Sequence, residues 1–316
     1  MTRQNWSRWT SLDFWVTFLG AVALVAGAFW VASHFIAPAP PSRIVMTVGQ
    51  EGGAYEGLAK ELQTALAQSG IKLELRTTQG AQDDLRLLND AGSGVTLAVI
   101  QGGVAADADG ENLMSLASLY REPVWVFYRQ GMKVDRLSAL KGHALSIGPQ
   151  GSGVRGLSEQ LLKVNGVDAA NTKLADWPSE QAAQKLIDKQ VDAIMVVGAP
   201  ESKLITRLMH QPGLRLLDFA QAEAYSRQFP FLARIVLPVG SFDLAHNIPD
   251  HDVTLIAPTA NLVVRDDIHP ALLDLLMDAA TDISGDNCTS ATVKVSTNTF
   301  FSSGDRIGVR GSNFAS

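Results

Sequence analysis

The chain is short of several things, and each shortage narrows its function. A single cysteine, Cys288, among 316 residues excludes an intrachain disulfide and a cysteine metal cluster. The 6 histidines are scattered and never fall into HExxH or another paired ligand spacing, so no metal site and no metalloenzyme are expected. Basic residues are outnumbered, with 26 Lys+Arg against 32 Asp+Glu and a net charge of −6, so there is no electrostatic footprint for nucleic acid. The deficit sits in the body, because the first 43 residues carry Arg3, Arg8 and Arg43 against Asp13 alone. Charged residues make up 18% and hydrophobic residues 46%, a globular balance that excludes a wholly disordered chain. The length implies about two domains.

One apolar run is long. Residues 14–37 read FWVTFLGAVALVAGAFWVASHFIA, without Lys, Arg, Asp or Glu. About 20 helical residues cross a hydrocarbon core, whereas the apolar part of a cleaved signal usually has about 7–15. Trp6, Trp9 and Trp15 at one end and Trp30 near the other fit an interfacial belt, and Pro38, Pro40 and Pro41 give a stiff exit. Arg3 and Arg8 place the amino end in the cytoplasm by the positive-inside rule. The expectation is a single-pass anchor in a bacterial inner membrane, with the body in the periplasm or outside the cell. A cleaved signal and a core helix are the alternatives.

The body repeats a unit. Residues 43–48 (RIVMTV) read as a strand, GQEGG at 49–53 as a turn, and residues 54–67 as a helix with Leu58, Leu62 and Leu66 on one face. The pattern returns with the strand at 144–147, the turn GPQGSG at 148–153 and a helix through Leu157, Leu161 and Leu162. At an offset of 99, Gly49/Gly148, Gly52/Gly151, Gly57/Gly156, Leu58/Leu157 and Leu62/Leu161 are identical. Each unit aims free N–H groups of a helix start at the space beyond a strand's carboxyl end, where an anion binds readily. Further strands are expected at 71–75, 95–100, 123–129 and 192–197, with helices at 83–89, 179–189 and from Pro270 to near Gly285. This alternation implies an α/β chain with mainly parallel sheets and ligands at the strands' carboxyl ends.

The second glycine turn has competing readings. A phosphate loop needs GxxxxGK[ST], but Val154 and Arg155 follow GPQGSG, so lysine and hydroxyl are missing. Gly151, Gly153 and Gly156 match the GxGxxG of a dinucleotide site with Asp176 downstream, yet Pro149 and Gln150 separate the strand from the first of them. A backbone cradle for a carboxylate is supported by the twin motif at 49–53. Glycines that only shape turns remain an alternative.

These segments resemble a known family, the TAXI-type solute-binding subunits of TRAP transporters. The resemblance runs from Arg43 to about Ile283. It is carried by Val48-Gly49 with Gly52-Gly53-Ala54-Tyr55, Thr77-Thr78-Gln79-Gly80 with Asp84-Leu85, and Ala98-Val99-Ile100-Gln101. It continues through Leu119-Tyr120-Arg121-Glu122-Pro123, Leu140-Lys141-Gly142, residues 148–155, and Asp192-Ala193 through Gly198-Ala199-Pro200. What it implies is a two-lobed periplasmic-binding-protein-like α/β fold of type II, closing by a hinge on a small carboxylate such as an organic acid or amino acid. Separate TRAP membrane subunits would take the solute on. No catalysis, cofactor or nucleic acid is implied. The family usually has threonine where Ala54 stands, tyrosine where Glu56 stands, and Ser-Gly-Thr where this chain has Ser152-Gly153-Val154.

The candidate ligand-binding residues are Gly53, Ala54 and Tyr55 at the first helix start, Thr78 and Gln101 after strands, and Ser152, Gly153, Val154 and Arg155 at the second helix start. Arg155 would supply a countercharge to a carboxylate. The expected organisation is an anchor and linker at 1–43, a first lobe from 44–128 plus 236–283, a second lobe at 129–235, and an atypical tail at 284–316. Within the tail, residues 291–299 read as an edge strand or as part of a mobile end. An anchored solute sensor is the second functional reading, and an exported NAD-dependent enzyme a distant third.

Overall fold

The computed structural model describes residues 11–35, 40–49, 55–104 and 112–286. The tail strand proposed at 291–299 and, after Gly49, the glycine turn at 49–53 lie outside the described residues. The chain divides into residues 1–40 and residues 41–316. The first part contains α1 (Ser11–Phe35), whose stretch Phe14–Val31 has mean hydropathy 2.0 and is long and apolar enough to cross a membrane.

The body holds two sheets. In the first, β1 (Arg43–Thr47) lies between β2 (Lys72–Arg76) and β3 (Leu97–Gln101), parallel to both. Strand β11 (Val253–Arg265) runs antiparallel beside β3, and β4 (Leu113–Arg121) pairs antiparallel with β11. In the second, β6 (Ala144–Ser146) lies between β7 (Lys173–Ala175) and β8 (Ala193–Val197), again parallel to both. Strand β5 (Val124–Arg129) runs antiparallel beside β8, and β9 (Leu214–Leu216) pairs antiparallel with β5. The two orders, β2-β1-β3-β11-β4 and β7-β6-β8-β5-β9, are the same arrangement twice. The parallel pairing foreseen from sequence holds for the first three strands of each sheet. The added strands β11, β4, β5 and β9 are antiparallel.

The helices follow from the glycine turns. Gly49 and Gly148, equivalent at the offset of 99, both have positive φ, at 70° and 89°, which turns the chain sharply after β1 and β6. Beyond them stand α2 (Glu56–Gln68) and α4 (Gly153–Val164). Helix α3 (Ala81–Asn89) follows β2, and α5 (Ser179–Ile187) follows β7.

The first sheet is covered on both faces. Along β3, Leu97 and Val99 face α2 and α8 (Pro270–Asp286), while Ala98 and Ile100 face Leu85 and Leu88 of α3. A separate core surrounds Trp125, Phe127, Leu145 and Ile194 of the second sheet. Trp125 is fully buried, stacks with Phe127 at 6.3 Å between ring centroids, and donates to the Gly198 carbonyl at 2.9 Å. Asp192 ties this sheet together by accepting from Arg129 and from the Ala144 N–H.

The backbone passes between the sheets at two places. Strand β5 pairs within the second sheet, so the first passage is Glu122–Pro123, ahead of the boundary drawn at residues 128 and 129 from sequence. The second lies within β11. Leu255 and Ile256 pack in the second core, whereas Ala260, Leu262 and Val264 pack in the first. Strand β10 (Leu232–Leu237) pairs with the near half of β11.

Candidate functional site

The end of β3 and the turn after β2 meet the start of α4 from the other sheet. Gln101, the last residue of β3, is buried, and its Nε2 donates to the Gly153 carbonyl at 3.4 Å. Gly80, just before α3, lies against the loop that leads into α4. A Cβ there would stand 2.8 Å from the Gly151 carbonyl oxygen and 3.0 Å from the Ser152 Cα. The Gln82 N–H donates to that same Gly151 carbonyl at 3.4 Å. Among the described residues, the helix start that meets α4 across the sheets is that of α3; the turn leading into α2, which sequence set against α4, lies outside them. Parallel pairing of β2 with β1 sets both helices on one sheet edge, and the β2–α3 turn reaches α4.

The start of α4 is built for backbone recognition. Ser152 caps it, its Oγ accepting from the Arg155 N–H at 3.2 Å and donating to the Pro149 carbonyl at 2.7 Å. The N–H groups of Gly153 and Val154 have no hydrogen-bond partner among the described residues. The Val154 side chain packs under Gly148, where an added Cβ would lie 3.2 Å from it. The Arg155 guanidinium is largely covered, paired with Glu159 and 3.5 Å from the Gly148 carbonyl. Its charge is already answered within its own helix.

The other described candidates belong to the first sheet's edge. Tyr55 stands at the N-cap of α2 and its hydroxyl donates to Glu122 Oε2 at 2.7 Å. Thr78 donates to Asp84 Oδ1 at 2.6 Å and accepts from the Gly80 N–H at 3.2 Å, so it holds the start of α3 in place. Gly53 and Ala54 lie outside the described residues. Gln101, Ser152 and Gly153 are thus brought together. Tyr55 and Thr78 are each engaged by a buried acid.

Those two acids, Glu122 and Asp84, are what sequence reasoning missed. Each has 2% or less of its surface exposed. Burial raises the Glu122 carboxyl to about 7 against the pull of the Tyr55 hydrogen bond, and raises Asp84 against the hydrogen bond from Thr78. Burial also lifts the Tyr55 phenol, with the nearby Glu122 charge adding to it. The one sequence signal for Glu122 was its position before Pro123 between two apolar runs, LASLY and VWVFY.

Two lobes of duplicated strand order, joined by two passages and meeting at helix starts, define the fold of periplasmic solute-binding proteins. The aliphatic sulphonate-binding protein SsuA of Escherichia coli superposes with a TM-score of 0.50 at 14% identity, over 78% of this chain and 73% of that one. A protein from Bordetella bronchiseptica RB50 superposes with a TM-score of 0.51 at 15% identity, over 77% of this chain and 71% of that one. The chain belongs to the NMT1-like family, whose pattern it matches over residues 46–280.

Proposed function

We propose that this chain is an extracytoplasmic solute receptor of the TAXI type, serving a TRAP transporter and capturing a small carboxylate between its two lobes. Helix α1 holds it to a bacterial inner membrane with the body in the periplasm, and multispanning TRAP subunits receive the solute. No chemistry is done on the ligand. The observation that carries the reading is the start of α4: a capped helix whose Gly153 and Val154 N–H groups have no hydrogen-bond partner among the described residues, placed where the two sheets' edges meet. Such a pair of donors at a positive helix end suits a carboxylate.

Calorimetry with glutamate and succinate on the detergent-solubilised chain tests this. Binding is expected with one of them, weakened about tenfold in Ser152→Ala, because losing the cap costs about 1 kcal/mol of order at the helix start that presents the Gly153 and Val154 donors. Unaltered affinity in both Ser152→Ala and Arg155→Ala, or no carboxylate bound at millimolar concentration, would remove the α4 start from the site. An anchored sensor is the second reading, favoured by α1 as a retained helix. Neighbouring genes for multispanning transporter subunits support transport, and histidine-kinase genes support sensing.

A further inference from the structure

One residue ties together the two passages between the sheets. Glu122 joins β4 to β5, and its N–H donates to the Pro258 carbonyl at 2.9 Å, inside the part of β11 where that strand leaves one core for the other. Its Oε2 accepts from the Tyr55 hydroxyl at 2.7 Å, so the same side chain holds the N-cap residue of α2 at the sheet's carboxyl edge. The carboxyl is buried in the arrangement in which the sheets' edges touch through Gly80, Gly151, Gln101 and Gly153.

The groups around it are acids and phenols. Tyr55 faces it from α2, and Tyr120 acts with it from β4. Asp84 of α3 acts on Tyr55, and Glu61 of α2 acts on Tyr120. Among the described residues no basic side chain acts on Glu122. An ionised Glu122 therefore has a phenolic hydrogen bond and no countercharge, a costly state for a carboxylate away from water.

We propose that Glu122 is a proton-operated clasp at the hinge. With its proton on, the carboxyl stays buried between Tyr55 and the two passages, and the lobes stay together. With the proton gone, the carboxylate draws in water and the lobes part. The ratio of open to closed forms changes about tenfold for each unit by which opening lowers the Glu122 pKa. The clasp rests on the hinged-receptor reading, and it operates without solute.

The test is a distance measurement between the lobes. Ala67 and Ala169 are exposed on opposite sheets' elements, and cysteines there, in a Cys288→Ser background, accept a donor and an acceptor dye. The full chain in detergent micelles, without solute, is titrated from pH 5 to 9. The native pair is expected to lengthen as pH rises. In Glu122→Gln the distance is expected to stay near its low-pH value throughout. In Tyr55→Phe the midpoint is expected to move to higher pH, since the hydrogen bond that favours the carboxylate is gone. A flat native titration, a pH response that survives Glu122→Gln, or an unmoved midpoint in Tyr55→Phe overturns the proposal. Because no solute is used, a flat titration leaves the carboxylate reading standing, and failure to bind carboxylates leaves a pH response intact.

Discussion

Glu122 has given up almost all contact with water for one phenolic hydrogen bond, and burial is the larger effect, moving its ionisation from an ordinary 4.5 to about 7. Between those values the folded chain holds a proton that the unfolded chain has released. Stability is thus fully retained below about 4.5 and falls as pH rises through 7. A separation of this size amounts to about 3 kcal/mol once ionisation is complete. Glu122→Gln keeps the shape and the Tyr55 contact without the charge. Denaturant unfolding of the two proteins is expected to give similar stability at pH 4.5, with the variant ahead by up to about 3 kcal/mol at pH 8. Parallel pH curves would show that Glu122 ionises freely in the folded chain. Little of this was readable in the sequence. A glutamate before Pro123 has no special meaning until Tyr55, 67 residues away, is placed against it.

At the scale of elements, two glycines at the sheets' meeting edge make opposite predictions. Gly80 has φ 132°, and a Cβ on it meets a backbone oxygen of the other lobe at 2.8 Å. Neither atom has anywhere to move, so Gly80→Ala is expected to hold the edges apart, with a local strain cost of about 1–3 kcal/mol. A Cβ on Gly153 meets the far end of the Gln101 side chain at 2.9 Å, which can swing aside. Gly153→Ala is expected to change stability by less than about 0.5 kcal/mol. Small-angle scattering checks both: a larger radius of gyration for Gly80→Ala and none for Gly153→Ala. Equal radii for all three proteins would mean that the edges meet loosely. The βα units behind these turns were legible because glycine breaks and leucine spacing are local signals. Strand β11 was not, because Pro258 interrupts its apolar run and its partners β3, β4 and β10 come from three distant segments. The meeting of Gln101 with Gly153 is equally non-local. Sequence named both as candidate ligand-binding residues, at a strand end and a helix start, but not the contact between them.

At the scale of the whole molecule, the body is closed on itself while α1 is not. Both sheets bury their apolar residues in three cores, and the two passages tie those cores into one unit from residue 41 onward. Across Phe14–Val31 no residue is buried, and Leu24, Phe29 and Trp30 each expose at least 66% of their surface. An apolar helix of that length left in water would be a strong aggregation hazard, and a bilayer is the solvent that suits it. The full chain is therefore expected to stay in the membrane fraction after alkaline carbonate washing, while residues 41–316 alone are recovered in the soluble fraction with the fold intact by circular dichroism. A charge at the middle of the span separates anchoring from simple stickiness. Leu24→Arg raises the insertion cost by about 2.5–3.5 kcal/mol, enough to shift a marginal span out of the bilayer by about a hundredfold. It is expected to raise the carbonate-extractable share, whereas Leu24→Ala is not. Recovery of a native polypeptide beginning after Ala37, or complete extraction of the unmodified chain by carbonate, would mean that α1 serves export and is not retained as an anchor.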